Sequence, residues 1–85
     1  MHKATGQFWQ RYWNLPKDVR DIADKNFQLL KENIRHPSIQ FKKVGAFWSA
    51  RVGLAHRALA LDDDCDYIWV WIGTHDEYDK IIKRH

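Results

Sequence analysis

The sequence has little of what usually braces a small domain. Its one cysteine among 85 residues, Cys65, excludes an internal disulfide, and no CxxC or paired Cys/His pattern offers a zinc site. A chain built this way suits a reducing compartment, so a cytoplasmic location is expected. Two prolines and four glycines are too few for a linker, and no repeat or low-complexity tract interrupts residues 1–85, which read as one domain. No charged-then-apolar leader opens the chain, and its apolar runs are too short to span a bilayer, so no membrane partner is expected. Acid is missing from one region in particular. Between Glu32 and Asp62 there is no Asp or Glu, whereas Arg35, Lys42, Lys43, Arg51 and Arg57 fall there with His36 and His56. In a chain of net charge only +3, such a one-sign stretch suggests a footprint for a polyanion. A solvated face is the plain alternative.

What the sequence does have is tryptophan. Trp9, Trp13, Trp48, Trp69 and Trp71 supply large apolar area, enough to stabilise a small core or to furnish an interaction surface. Residues 7–14 place Phe8, Trp9, Tyr12 and Trp13 at helical spacing. From Lys17 to about Asn33, a stripe of Val19, Ile22, Ala23, Asn26 or Phe27, and Leu30 predicts a second, amphipathic helix, opened at Pro16 and ended by His36–Pro37. The two form an αα-hairpin. The runs 39–44, 47–52, 56–61 and 67–72 are β-branched and aromatic, and Gly45–Ala46, Gly53–Leu54–Ala55 and the acidic segment 62–66 separate them. They read as an antiparallel meander. The last run, YIWVWI, is apolar throughout, as a strand covered on both faces would be. After Gly73, residues 75–84 make a closing helix, with Thr74 as its N-cap and Asp76 and Glu77 in its first turn. The expected fold is α+β: an N-terminal helical hairpin packed on an antiparallel four-stranded sheet, with a short C-terminal helix.

The stretch HPSIQFKKVGAFWSARVGLAHRALAL, followed by YIWVWIGTHDEYDKII, resembles the RelE/ParE superfamily of toxins from type II toxin–antitoxin systems, including its YoeB-like and HigB-like branches. The strand–turn–strand WSARVGLAHRALA is similar to the paired strands of that family, each bearing an arginine. Gly-Thr-His-Asp-Glu-Tyr resembles the glycine, then His and Tyr, at the end of its last strand. With the helical hairpin in the same order, the likeness covers nearly the whole chain. It implies a compact toxin inhibited by a cognate antitoxin. For RelE-like members it implies metal-independent cleavage of messenger RNA in the ribosome, without a cofactor; for ParE-like members it implies inhibition of DNA gyrase. A binding module that only engages an antitoxin is a third alternative, since a fold does not by itself carry an activity.

Metal-free RNA cleavage needs a base for the 2′-hydroxyl, positive charge at the phosphorus and an acid for the leaving oxygen. Arg51 and Arg57, six residues apart across a tight turn, suit the charged role because a guanidinium pairs with phosphate oxygens and stays ionised. By resemblance to the YoeB-like pattern, Arg57 is the first choice for the catalytic arginine. His75 and Tyr78, at i and i+3 of the closing helix, are the candidates for proton transfer. Against these stand plainer readings: arginines paired with the acids of 62–66, Tyr78 in a core stripe with Ile81 and Ile82, and His75 bonded locally. Lys42 and Lys43 are expected to bind RNA phosphates, with alternation favouring Lys43 for the arginine surface, and His56 either lines that surface or ends a strand. In this family other branches place a longer segment between glycine and tyrosine, so the shorter spacing here leaves the acid and base unassigned. Metal readings of the aspartates at 62–66 and of His75 with Asp79 fail for want of further ligands.

Overall fold

A computed structural model describes residues 2–84. The element order is β1 (His2–Ala4), α1 (Gly6–Trp13), α2 (Lys17–Glu32), β2 (Lys42–Val44), β3 (Phe47–Val52), β4 (His56–Asp63), β5 (Asp66–Thr74) and α3 (His75–Arg84). The strands form one five-stranded sheet in the order β1-β5-β4-β3-β2. β2 to β5 pair antiparallel, as a meander must, but β1 joins β5 in parallel, with His2, Lys3 and Ala4 opposite Tyr67, Ile68 and Trp69. The sheet is therefore mixed and five-stranded, which corrects the expectation of four antiparallel strands. A run as short and polar as HKA carries no apolar alternation to betray it. Side chains hold it instead: the Trp69 indole N–H donates to Nδ1 of His2 at 3.1 Å, Lys3 pairs with Asp66 at 3.3 Å, and the Thr5 amide donates to the Trp69 carbonyl at 3.0 Å.

The helices also depart from a simple hairpin. Phe8 and Tyr12 of α1 turn toward β5, whereas Ala23 and Leu30 of α2 turn toward the middle of the sheet, so α1 packs on β5 and α2 against β3. Between them lies a cavity of about 250 Å³, walled in part by Ala23, Ala50 and Ala58, whose side chains are too small to close it. What ties the helices together is polar and cationic. The Tyr12 hydroxyl donates to Oδ1 of Asp24 at 2.6 Å, and the Arg20 guanidinium lies 5.1 Å from the centre of the Trp13 ring. That hydrogen bond, with burial behind it, pushes the Tyr12 pKa up to about 12.

The core between helices and sheet is assembled from alternate strand residues: Ala50 and Val52 of β3, Ala58 and Ala60 of β4, Trp69 and Ile72 of β5, joined by Ile39 and Leu30. Trp69 and Ile72 are three apart yet share this face. A bulge makes that possible, because Ala60 pairs with Trp69 while its neighbour Leu59 pairs with Trp71, and Val70 is left over. Leu59 and Trp71 consequently lie on the opposite face, where α3 packs on β4 and β5 with Tyr78, Ile81 and Ile82 half-buried. β5 is thus covered on both sides. Ile39, Leu59 and Ile72 are almost wholly enclosed, each contributing roughly 1.5–3 kcal/mol of transfer free energy. β2 is shorter than the run 39–44, since Gln40 adopts a left-handed φ of 49° before the ladder begins. No described helix is long and apolar enough to cross a membrane.

Candidate functional site

The β3–β4 hairpin positions the two arginines. Its turn requires a left-handed residue, supplied by Gly53 at φ 64°. The register then sets Arg51 directly opposite Arg57 and Val52 opposite His56. The Arg51 amide donates to the Ile39 carbonyl at 2.7 Å, and its own carbonyl accepts from the Asn26 side chain at 3.0 Å, so neither group bonds to Arg57. This is the non-hydrogen-bonded type of cross-strand pair, in which opposing side chains come closest. Both arginines sit on the face away from α1 and α2. Local carbonyls hold part of each guanidinium: Arg51 Nε donates to Gly53 at 3.1 Å, and an Arg57 terminal nitrogen donates to His56 at 2.7 Å.

Two of the acids that the plainer reading would pair with them are engaged elsewhere. Asp62 pairs with Lys43 at 2.9 Å and Asp66 with Lys3, and among the described residues no carboxylate lies within ion-pair distance of Arg51 or Arg57. The hydrogen bond from Lys43, the largest cause, holds the Asp62 carboxyl below its ordinary range. Like charges placed directly opposite each other on a sheet are destabilising, by roughly 0.2–1 kcal/mol in magnitude. The pair thus sets two guanidinium side chains on one face with no counter-ion among the described residues.

α3 begins where β5 ends. Gly73 is the register partner of Arg57, and Thr74 follows as the helix cap. Oγ1 of Thr74 accepts from the Glu77 amide at 3.2 Å while Glu77 Oε1 accepts from the Thr74 amide at 3.3 Å, a reciprocal capping box. The His75 amide donates to the Ala55 carbonyl at 2.8 Å, tying the helix start to the turn between the arginine strands. Nδ1 of His75 is 3.4 Å from Asp79, and the rings of His75 and Tyr78 are 6.0 Å apart. His75 and Tyr78 thus lie two and five residues beyond Gly73, the partner of Arg57.

Lys43, favoured for this surface, is not brought to it, and His56 stands at the end of a strand, the second of its two readings. Lys43 pairs with Trp48 and His56 with Val52, whose side chains belong to the helix-side core, so strand alternation turns both toward α1 and α2. Lys42 pairs with Ser49 and shares the arginine face. The preference for Lys43 over Lys42 therefore has to be reversed. The sequence reading also gave no site role to Asn26, which fixes the Arg51 carbonyl. An asparagine on the apolar stripe of α2 was the available signal, because a half-buried amide needs a partner.

No family model and no curated protein matches the sequence. Solved structures do. A chain of the RelB–RelE antitoxin–toxin complex from Methanococcus jannaschii superposes with a TM-score of 0.73 at 11% identity, over 93% of this chain and 96% of that one. The chain has the RelE toxin fold. YafQ from E. coli gives 0.68 at 15% identity, covering 92% and 96%, and the isolated E. coli RelE toxin gives 0.65 at 13%, covering 99% and 96%. The fold is thus matched over at least 92% of this chain and 96% of each of the three.

Proposed function

We propose that this chain is the toxin of a type II toxin–antitoxin system and acts as a ribosome-dependent, metal-independent endoribonuclease on messenger RNA. The observation that carries this reading is the cross-strand pair Arg51–Arg57, held side by side with no carboxylate among the described residues to neutralise it. The RelE fold supports it, as does the acid-free stretch that contains both arginines.

In the reaction a ribose 2′-hydroxyl loses its proton and attacks the adjacent phosphorus, and the 5′-oxygen leaves with a proton, giving a 2′,3′-cyclic phosphate. Arg51 and Arg57 stabilise the added negative charge at phosphorus, the largest single contribution in catalysis of this type. His75 and Tyr78 are the groups that move protons, with Asp79 orienting His75. Lys42, on the same face, docks the RNA backbone. A cognate antitoxin is the expected protein partner, the ribosome the setting of the reaction and the cytoplasm its place.

Primer extension on messenger RNA in a reconstituted translation reaction tests this. Cuts that require ribosomes and vanish in Arg57→Ala are expected. Intact RNA with folded wild-type protein would overturn the nuclease reading and direct attention to inhibition of gyrase.

A further inference from the structure

The cavity of about 250 Å³ between α1, α2 and the sheet lies on the helix side, opposite the face that carries the arginine side chains. Its walls include Phe8, Leu30, Ile39, Val52, Trp69 and Ile72, and Ala23, Ala50 and Ala58 leave the space between them. The polar groups along the walls bond to one another. The Tyr12 hydroxyl donates to Asp24 at 2.6 Å, the Asn26 amide to the Arg51 carbonyl at 3.0 Å and the Trp69 indole to His2 at 3.1 Å. What the walls offer a guest is therefore apolar surface, much of it from the rings of Phe8, Phe27 and Trp69. An apolar cavity of about 150 Å³ takes up benzene. In proportion, 250 Å³ suits a ring with a short arm, about ten non-hydrogen atoms.

One end of this cavity is charged. Phe27, a wall residue, is 37% exposed, and the Lys31 ammonium lies 5.1 Å from the centre of its ring. His2, also in the wall, packs edge-on against Phe27 at 5.4 Å. Burial first, and then the charge of Lys31, lowers the His2 pKa, which sets the ammonium at this end as well. Lys3, beside His2, is paired with Asp66 at 3.3 Å, but among the described residues no carboxylate lies within ion-pair distance of Lys31. Asp24, the acid in the wall, stands about 10 Å from Lys31 along α2, and its carboxylate already accepts from Tyr12. A guest with an aromatic ring and one negative charge on a short arm matches both the walls and the charged end.

We propose that this cavity is a binding site for a small arylalkanoic acid, whose ring enters between α1 and α2 and whose carboxylate pairs with Lys31. The site is separate from the arginine face, so it stands or falls without the nuclease reading. Hydrocinnamate is the probe, titrated into the isotope-labelled full chain and followed through the methyl resonances of Ala50 and Ala58, with its uncharged amide as control. Saturable shifts at both methyls are expected, and the amide should bind about two- to five-fold more weakly, as loss of one exposed ion pair requires. Lys31→Met keeps an apolar stem over Phe27 and removes the charge, so it should lower hydrocinnamate affinity to that of the amide. Ala23→Leu sets a good helix former on α2 with its side chain in the cavity, and it should abolish the shifts while a cooperative thermal transition shows the variant folded. Absence of saturable shifts in wild type, or their persistence in folded Ala23→Leu, would overturn the site. Equal affinities for acid and amide, or for wild type and Lys31→Met, would overturn the carboxylate and leave the cavity as a seat for an uncharged apolar group, such as a partner's side chain. Should Ala23→Leu fail to fold, the amide and Lys31→Met still decide.

Discussion

The two faces of the sheet are made from the same strands, taking alternate residues, and they solve opposite problems. Toward α1 and α2, Ala50, Val52, Ala58, Ala60, Trp69 and Ile72 form a continuous apolar surface, and the ions at its margin are matched, as Lys43 is with Asp62. Toward the other side, Ser49, Leu59 and Trp71 lie beneath or beside α3, but Arg51 and Arg57 face each other without a counter-ion among the described residues. One face is matched within the chain and holds the fold. The other carries two like charges with no counter-ion among the described residues. The difference is one of residue parity, so neighbouring substitutions on a single strand should separate activity from stability.

The sharpest separation is expected between Arg57→Ala and Ile72→Ala. Loss of one charge-stabilising donor in a site of this kind lowers the rate by about 10²–10³-fold. Removing Arg57 also relieves a like-charge pairing, so its unfolding free energy from urea titration should stay within about 1 kcal/mol of wild type or rise. Ile72 is 2% exposed, and its truncation should cost roughly 2–5 kcal/mol while leaving the cleavage pattern of the remaining folded protein unaltered. Cleavage assays and urea titrations on the two variants check this together. Equal losses of stability would mean that the arginine face is also part of the core.

How much of this was legible beforehand follows from what each feature depends on. Helix α3 and the hairpin around Gly53 are set by neighbouring residues, a capping Thr74 with Glu77 and a glycine that must be left-handed, and both were readable. β1 was not, since HKA becomes a strand only because the far-distant Trp69 offers it a ladder and an indole N–H. The Arg51–Arg57 pairing was readable from a six-residue separation across a turn. The side on which Lys42 and Lys43 fall was not, because alternation counted from the predicted strand start at 39 has no fixed phase until the register at Ser49 and Trp48 is known.

A smaller effect is expected at the edge strand that the sequence concealed. His2 stacks on Tyr67 and Trp69, and its Nδ1 accepts the Trp69 indole N–H, which requires an unprotonated nitrogen. Burial first, and then the charge of Lys31, lower its pKa from the ordinary 6.5. A base whose folded pKa is depressed binds protons more readily when unfolded, so its contribution is complete above about 6.5 and is lost as pH falls toward the folded value. The thermal midpoint should therefore drop more between pH 7.5 and 5.5 in wild type than in His2→Phe, which keeps the stacking and cannot titrate. Parallel profiles for the two proteins would show that β1 is held by packing alone.

The finest division of the faces lies between the adjacent residues Lys42 and Lys43. Lys42 shares the arginine face through its pairing with Ser49, whereas Lys43 is turned to the helix side, where Asp62 and the Trp48 ring engage it. A lysine that neutralises one phosphate of single-stranded RNA contributes about −0.7 to the slope of log affinity against log salt. Lys42→Ala should therefore weaken binding of a catalytically blocked Arg57→Ala background to single-stranded RNA and make that slope shallower by about this amount. Lys43→Ala should leave the slope as it is, because the charge it removes is already matched by Asp62 and points away from the RNA. Measuring both variants by fluorescence anisotropy across a salt series makes the comparison internal to two consecutive residues. A slope change in Lys43→Ala and none in Lys42→Ala would mean that RNA approaches from the helix side, and that the unmatched arginines serve a different anion.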